Sequence, residues 1–189
     1  MPFLSEEELK ARGFKHLGKQ VKISSLASIY NADQISIGDY SRIDDFCVLS
    51  GKITIGRNVH IAVFNNMAGG ELGITMEDFS GLAYGCHLFT QSDDYSGGSL
   101  TNPTVPDEYK HERKAAIHLG RHVIIGTNSL VFPGVTIAEG CSVGAFAMVT
   151  RSTEPWMIYA GIPAKAVKPR RQDLLTFEQA YLDSEKTDS

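Results

Sequence analysis

The sequence holds little that would assign it quickly to several function classes. It has only three cysteines, Cys47, Cys86 and Cys141, none in a short C-x-x-C spacing. That argues against a disulfide framework or a thiolate zinc site and points to buried thiols in a reducing compartment. No apolar run approaches the about 18 residues of a membrane span. The opening MPFLSEEELKARG lacks the basic-then-apolar order of a signal peptide. Positive charge is not in excess either. Lys and Arg number 18 against 22 Asp and Glu, a net charge of −4, so neither nucleic acid nor an anionic membrane is expected as a partner. The expectation is a cytoplasmic protein with no membrane span.

What the chain does have is ordinary bulk and an unusual rhythm. Its 189 residues, 42% hydrophobic and 21% charged, suit one soluble domain with a real core. Aliphatic residues recur every six positions in three blocks. The first is Leu17, Ile23 and Ile29. The second runs Ile37, Ile43, Leu49, Ile55, Ile61 and Met67, resuming at Met76, Leu82 and Leu88. The third runs Leu119, Ile125, Val131, Ile137, Val143 and Val149. A period of six fits neither a helix nor a simple alternating strand. It fits short strands separated by tight turns, each strand placing its aliphatic residue on a common axis. Glycine, asparagine and aspartate supply the turns, as in Ile-Gly-Asp-Tyr and Ile-Gly-Arg-Asn.

Over about residues 17 to 165 this pattern resembles the hexapeptide-repeat family. The segment IGTNSLVFPGVTIAEGCSVGAFAMVTRS, followed by YAGIPAKAVKPR, is similar to the galactoside and maltose O-acetyltransferase branch. The resemblance implies an all-β fold, a left-handed parallel β-helix of three-sided coils, assembled as a homotrimer. Handedness comes from the resemblance alone.

The comb breaks in two places. The larger break, Ser92 to Ala116, is polar, rich in Gly and Pro, and holds no hexad register. A loop of that length inside a compact domain points to a site, and the family resemblance implies that it reaches a neighbouring subunit. The smaller break, NNMAGGELGI, carries Gly69 and Gly70, which suit a close backbone approach to a ligand or a widened corner. SEEELKARG reads as a short helix with an N-cap serine and a glycine stop, and DLLTFEQAYLDS as a second, amphipathic one. The expected organisation is therefore a helical segment over 1–16, a β-helix over 17–168 with its loop over 92–116, and a helical tail over 169–189.

Acyl transfer to a hydroxyl needs a base, donors for the oxyanion and positioned reactants. A histidine is the natural base, and the chain offers six: His16, His60, His87, His111, His118 and His122. In the galactoside acetyltransferase pattern a histidine opens the long loop; here that place is Asp93. The replacement candidate is His60, at the end of its hexad and so expected in a turn, with Asp93 as its partner. Asp94 and Tyr95, in the polysaccharide O-acetyltransferase-like run Ser-Asp-Asp-Tyr-Ser-Gly, are expected substrate contacts together with His87 and Asn65. His87, His118 and His122 also suggest a zinc set similar to gamma-class carbonic anhydrases. Their spacing fits that pattern poorly, and no metal is expected.

The resemblance further implies acetyl-CoA as co-substrate, with no tightly bound cofactor. Its pantetheine arm would run past Gly126, Thr127 and Ala145, with Thr150 and Arg151 nearby. Lys165 and Lys168, in a basic run with Arg170 and Arg171, would hold its phosphates. The leading expectation is O-acetylation of a saccharide hydroxyl, in surface polysaccharide synthesis. Its competitors are N-acetylation of a nucleotide-linked amino sugar, the metalloenzyme, and a trimeric scaffold without catalysis.

Overall fold

The structure, a computed structural model, describes residues 2–187. It is a left-handed parallel β-helix of about seven turns, with the expected comb on the inside. Short parallel strands stack into three faces. The first carries His16–Leu17, Ile35–Ile37, the ends of the long strands Val48–Ile55 and Asn66–Met76, then Ile117–Leu119 and Thr136–Ile137. The second carries Lys22–Ile23, Arg42–Ile43, His60–Ile61, Gly81–Leu82, Ile124–Ile125, Ser142–Val143 and Met157–Ala160. The third carries Ser28–Ile29, the beginnings of the two long strands, His87–Phe89, Leu130–Val131 and Met148–Val149.

The comb explains the core. From Ile37 to Val149 every comb residue is buried, whereas Leu17 and Ile29 of the first coil are only partly covered. Each fully buried aliphatic side chain contributes about 1.5–3 kcal/mol, so the stack is held mainly along its own axis. The comb missed one regularity. First-face strands point two residues inward, adding Ile35, Ile53, Ile74 and Ile117 to the core. Corners between the first and second faces, and between the second and third, turn through left-handed backbone. Tyr40, Asn58, Phe79 and His122 form the first of these columns, and Phe46, Phe64, Gly85, Asn128 and Phe146 the second.

Between the third and first faces two coils do not turn at all, because the long strands run through the corner. Val48–Ile55 pairs with Asn66–Met76 with register shifts around Gly51. A Cβ on Gly51, whose φ is +74°, would lie 2.5 Å from the Gly70 amide nitrogen, so the two backbones close together only as glycines. The smaller break forms a widened corner, one of the two readings of its glycine pair. Beyond it the long loop leaves the body. Gln91–Ser92 and Arg113–Lys114 pair antiparallel at its base, and one 3-10 turn, Asp107–Tyr109, lies within it.

Both expected helices form. The first, α1 (Glu6–Ala11), has a full capping box between Ser5 and Glu8. The second, α2 (Leu174–Thr187), lies against the column between the first and second faces. Arg57 donates to Glu185 at 2.6 Å, Asn58 to the Tyr181 hydroxyl at 3.1 Å, and Arg121 pairs with Glu178. His122, buried between Phe79 and Trp156, sits 3.0 Å from the same Glu178. Burial, then the guanidinium groups of Arg121 and Arg170, hold the His122 ring below its ordinary pKa, against an opposing pull from Asp78. The unfolded chain thus takes up this proton at a higher pH than the folded one. The stability contributed is complete above about pH 6.5 and is lost as the pH falls below it. Hydrogen exchange should show α2 amides losing protection between about pH 7.5 and about pH 5.5. His122→Phe should flatten that dependence. Equal protection at both pH values would refute the role of His122.

Candidate active site

Three groups of candidate residues occupy three distinct parts of the coil. The first lies on the outer side of the second face. His60 is not in a turn, as its place in the hexad implied, but within a strand, between Arg42 and Gly81 on the neighbouring rungs. Its ring meets Asp44, not Asp93: Nε2 lies 2.9 Å from Asp44 Oδ2, while Arg42 Nε donates to Asp44 Oδ1 at 2.6 Å. Asp44 follows the inward Ile43, and on successive coils the same position is held by Ser24, Asp44, Ala62, Ala83, Gly126 and Gly144. Only one of the six is charged, and its side chain is 5% exposed. Burial pushes the Asp44 carboxyl up, but hydrogen bonds from Arg42 and His60 outweigh it and hold the carboxyl below its usual range. His60 itself is half exposed, so one edge of its ring is oriented and the other faces solvent.

The second group surrounds the loop base. Asp93 follows the antiparallel rung and accepts from the Asn102 amide at 3.2 Å, which ties the two limbs of the loop together. Asp94 accepts from the Ser96 amide at 2.8 Å and the Ser99 hydroxyl at 3.3 Å. Those bonds, Ser96 foremost, keep its carboxyl below the usual range and commit it to shaping the loop. Tyr95 is 92% exposed. Beside the base lies a polar cleft of about 320 Å³, walled by Asn31, Ser50, Gly70, Gln91 and Lys114 among others. Nothing in the hexad spacing pointed to this cleft. It exists because the long strands fail to turn at Gly51 and Gly70.

The third group follows the corner between the second and third faces. Gly126, Thr127 and Ala145 lie here on adjacent coils, and the Phe146 amide donates to the Thr127 carbonyl at 2.8 Å. Thr150 and the exposed Arg151 follow the last third-face strand. Lys165 and Lys168 are exposed on a terminal strand antiparallel to Met157–Ala160. Arg170 leaves the basic cluster. Its Nη1 donates to the carbonyls of His122, Gly140 and Cys141, so it closes the fold and cannot also clasp phosphate. Arg171 pairs with Asp173 at 2.7 Å.

Some expected contacts are not where the sequence placed them. Asn65 is a buried pin: its amide donates to the Ala62 and Ala83 carbonyls and accepts from the Cys86 amide, so it cannot reach a substrate. His87 stands exposed on the outer side of the third face. The three histidines of the carbonic anhydrase-like set are not brought together. His87 is on the third face, His118 on the first at 2.9 Å from Glu77, and His122 at a corner under α2. The cysteines are all buried, and desolvation pushes the Cys47 thiol up to about 11.

Comparison with known proteins adds to this geometry. No protein-family model matches the chain. An Escherichia coli dTDP-4-amino-4,6-dideoxy-D-glucose acyltransferase is 40% identical over 187 residues, covering 97% of each chain. The chain belongs to the hexapeptide-repeat acyltransferases. AntD, an N-acyltransferase from Bacillus cereus solved with dTDP and 3-hydroxybutyryl-CoA, superposes with a TM-score of 0.97 at 46% identity, covering 98% of this chain and all of that one. A maltose O-acetyltransferase from Clostridium difficile 630 is more distant, with a TM-score of 0.56 and 20% identity over 88% of this chain and 75% of that one, and shares the fold alone. This acyltransferase therefore stands nearer to a relative named as a dTDP-amino-sugar acyltransferase and to one named as an N-acyltransferase than to the O-acetyltransferase branch that its sequence motifs resemble.

Proposed function

We propose that this acyltransferase moves an acyl group from acyl-CoA to the amino group of a dTDP-linked amino sugar. The observation that carries this reading is full-length similarity to a dTDP-amino-sugar acyltransferase and to an N-acyltransferase bound to dTDP and an acyl-CoA. Asp93 supports it from within the chain. A sugar hydroxyl needs a strong general base at the transition state, and the place where the O-acetyltransferase pattern puts a histidine holds a carboxylate. An amino sugar reaches the enzyme as an ammonium ion, which a carboxylate can hold and orient.

In the reaction Asp93 at the loop base holds the ammonium and takes one of its protons, which frees the nitrogen lone pair. The neutral amine nitrogen attacks the thioester carbon, the C–N bond forms and the C–S bond breaks. The second nitrogen proton passes to the departing sulfur, so the coenzyme leaves as its thiol. The groove at Gly126, Thr127 and Ala145 holds the pantetheine arm, and Lys165 and Lys168 hold the phosphates. The reading includes a homotrimer, expected from the family resemblance, with the long loop reaching the neighbouring subunit. It places the enzyme in the cytoplasm, where acyl-CoA and nucleotide sugars are available, in supply of sugars for surface polysaccharide. Among the described residues no helix is long and apolar enough to cross a membrane.

A thiol-release assay tests the reading. With acetyl-CoA or 3-hydroxybutyryl-CoA, turnover is expected on a dTDP-4-amino-4,6-dideoxyhexose, with little on maltose or the matching 4-hydroxy sugar nucleotide. His60→Ala should retain amino-sugar turnover within about tenfold, since its loss removes no group that holds the amine. Faster transfer to a hydroxyl, abolished by His60→Ala, would overturn the amine reading and restore His60 as a base.

A further inference from the structure

Among the described residues, twelve other than glycine have left-handed backbone, and Asn102 is the one of these that lies in the long loop. In the coils such a residue typically gives its N–H to a carbonyl of the coil before, as Asn58 does to Asp39 and Asn128 to Tyr84, each at 2.8 Å. Asn102 gives its N–H to a side chain instead. The acceptor is Oδ1 of Asp93, at 3.2 Å.

The conformation is costly at this position. A proline follows, and the residue before a proline is normally pushed to extended backbone, yet Asn102 has a φ of +71°. Asparagine tolerates left-handed backbone better than most residues, and here its own side chain fixes it there. Asn102 Oδ1 accepts from the Thr104 amide at 3.0 Å and from the Thr104 hydroxyl at 2.5 Å. The Asn102 carbonyl accepts from the Val105 amide at 3.4 Å. Pro103 locks its own φ, so the turn over residues 102–105 holds the Asn102 N–H in one direction. Strain kept in this way points to a role, and the group that the N–H serves is the Asp93 carboxylate.

That carboxylate is tied on one side. Asp93 follows the antiparallel rung at the loop base, half-buried, and its Oδ2 meets no donor among the described residues. The terminal torsion of an aspartate is soft, so without a bond to one oxygen the group would swing. We propose that Asn102 is a positioning residue for the transfer: its N–H pins Oδ1 of Asp93 and leaves Oδ2 turned to the acceptor amine. This rests on the reading of Asp93 as the group that holds the ammonium and takes its proton. Asn102 acts through Asp93 and touches neither substrate.

The test is initial-rate kinetics of the full chain on a dTDP-4-amino-4,6-dideoxyhexose with acetyl-CoA. The variants are Asn102→Val, Asn102→Gly, Asp93→Asn and the double variant of Asp93→Asn with Asn102→Val, each checked for its melting temperature. A β-branched residue leaves left-handed backbone and turns the N–H away, so Asn102→Val should lower kcat at least about tenfold. Affinities for dTDP and CoA, measured by calorimetry, should stay within about twofold. Glycine holds the same φ without strain and keeps the N–H, so Asn102→Gly should stay within about threefold of wild type. In the Asp93→Asn background, Asn102→Val should cost less than about twofold more, because both changes act on one group. Wild-type kcat in Asn102→Val overturns the inference and leaves the dTDP-sugar reading standing. So does an Asn102→Gly enzyme as slow as Asn102→Val, or an undiminished loss in the Asp93→Asn background, which would make Asn102 a support of the loop alone. A wild type without turnover on the amino sugar overturns both, and Asp93→Asn at the wild-type rate overturns the role of Asp93 and this inference with it.

Discussion

Asp93→Asn is expected to lower kcat for the amino-sugar acceptor at least about a hundredfold, the low end for loss of a proton-handling group, with dTDP and CoA affinities within about twofold. The substitution separates charge from structure. Asp93 also accepts from the Asn102 amide, which ties the loop shut, and the asparagine carbonyl can keep that bond while losing the negative charge. Asp94→Asn is the contrasting variant. Asp94 is already committed to the Ser96 amide and the Ser99 hydroxyl, so its effect should reach both substrates through a loosened loop and fall mainly on KM. Initial rates by thiol release, with the two affinities measured separately, distinguish these patterns. An Asp93→Asn enzyme with near wild-type turnover would remove Asp93 from the chemistry. The ammonium would then need another anion, and the oriented His60–Asp44 pair on the second face would be the next to examine.

The six-residue comb made the fold legible because one physical demand repeats at every coil: an aliphatic side chain must fill the axis. Ile43, Ile61 and Ile125 obey it and are fully buried. The first helix was legible from its capping chemistry, the second from its amphipathic pattern, and the loop from loss of register. The site was much less so. Hexad position says whether a residue points inward, but not which outward neighbours it meets, because those neighbours come from coils about 20 residues away. Hence His60 was matched with Asp93 when Asp44, 16 residues before it, is its partner. A signal was available: Asp44 is the one charged residue in a column of Ser, Ala and Gly. Asn65 misled for the opposite reason. A polar residue at a corner can spend every hydrogen bond on the backbone it turns, as Asn65 does. The acceptor class was not legible at all from the coil, since an amine and a hydroxyl can use the same groove and differ only in the group beside the reacting atom.

Gly51→Ala should cost about 3 kcal/mol and lower the melting temperature by roughly 6–12 °C, at about 2–4 °C per kcal/mol for a chain of this size. Two effects add. The residue sits at φ +74°, where an L side chain costs about 1–2 kcal/mol. Its new Cβ would also meet backbone, 2.5 Å from the Gly70 nitrogen and 2.6 Å from the Gly70 oxygen, and backbone cannot rotate away as a side-chain tip can. Gly97→Ala isolates the first effect. It has a φ of +82° and nothing within 4 Å of its Cβ, so about 1 kcal/mol is expected there. The difference between the two variants measures how tightly the corner is closed, and the corner matters beyond stability. The Thr90 hydroxyl donates to the Gly69 carbonyl at 2.8 Å, and the loop base bearing Asp93 follows directly from Thr90. Forcing Gly51 and Gly70 apart should therefore raise KM for the amino sugar at temperatures where the variant remains folded. CoA affinity, which the reading places on a different corner, should be unchanged. Calorimetric melting of both variants decides the steric part: a Gly51→Ala protein that melts no lower than Gly97→Ala would show that the long strands do not meet at this pair of glycines.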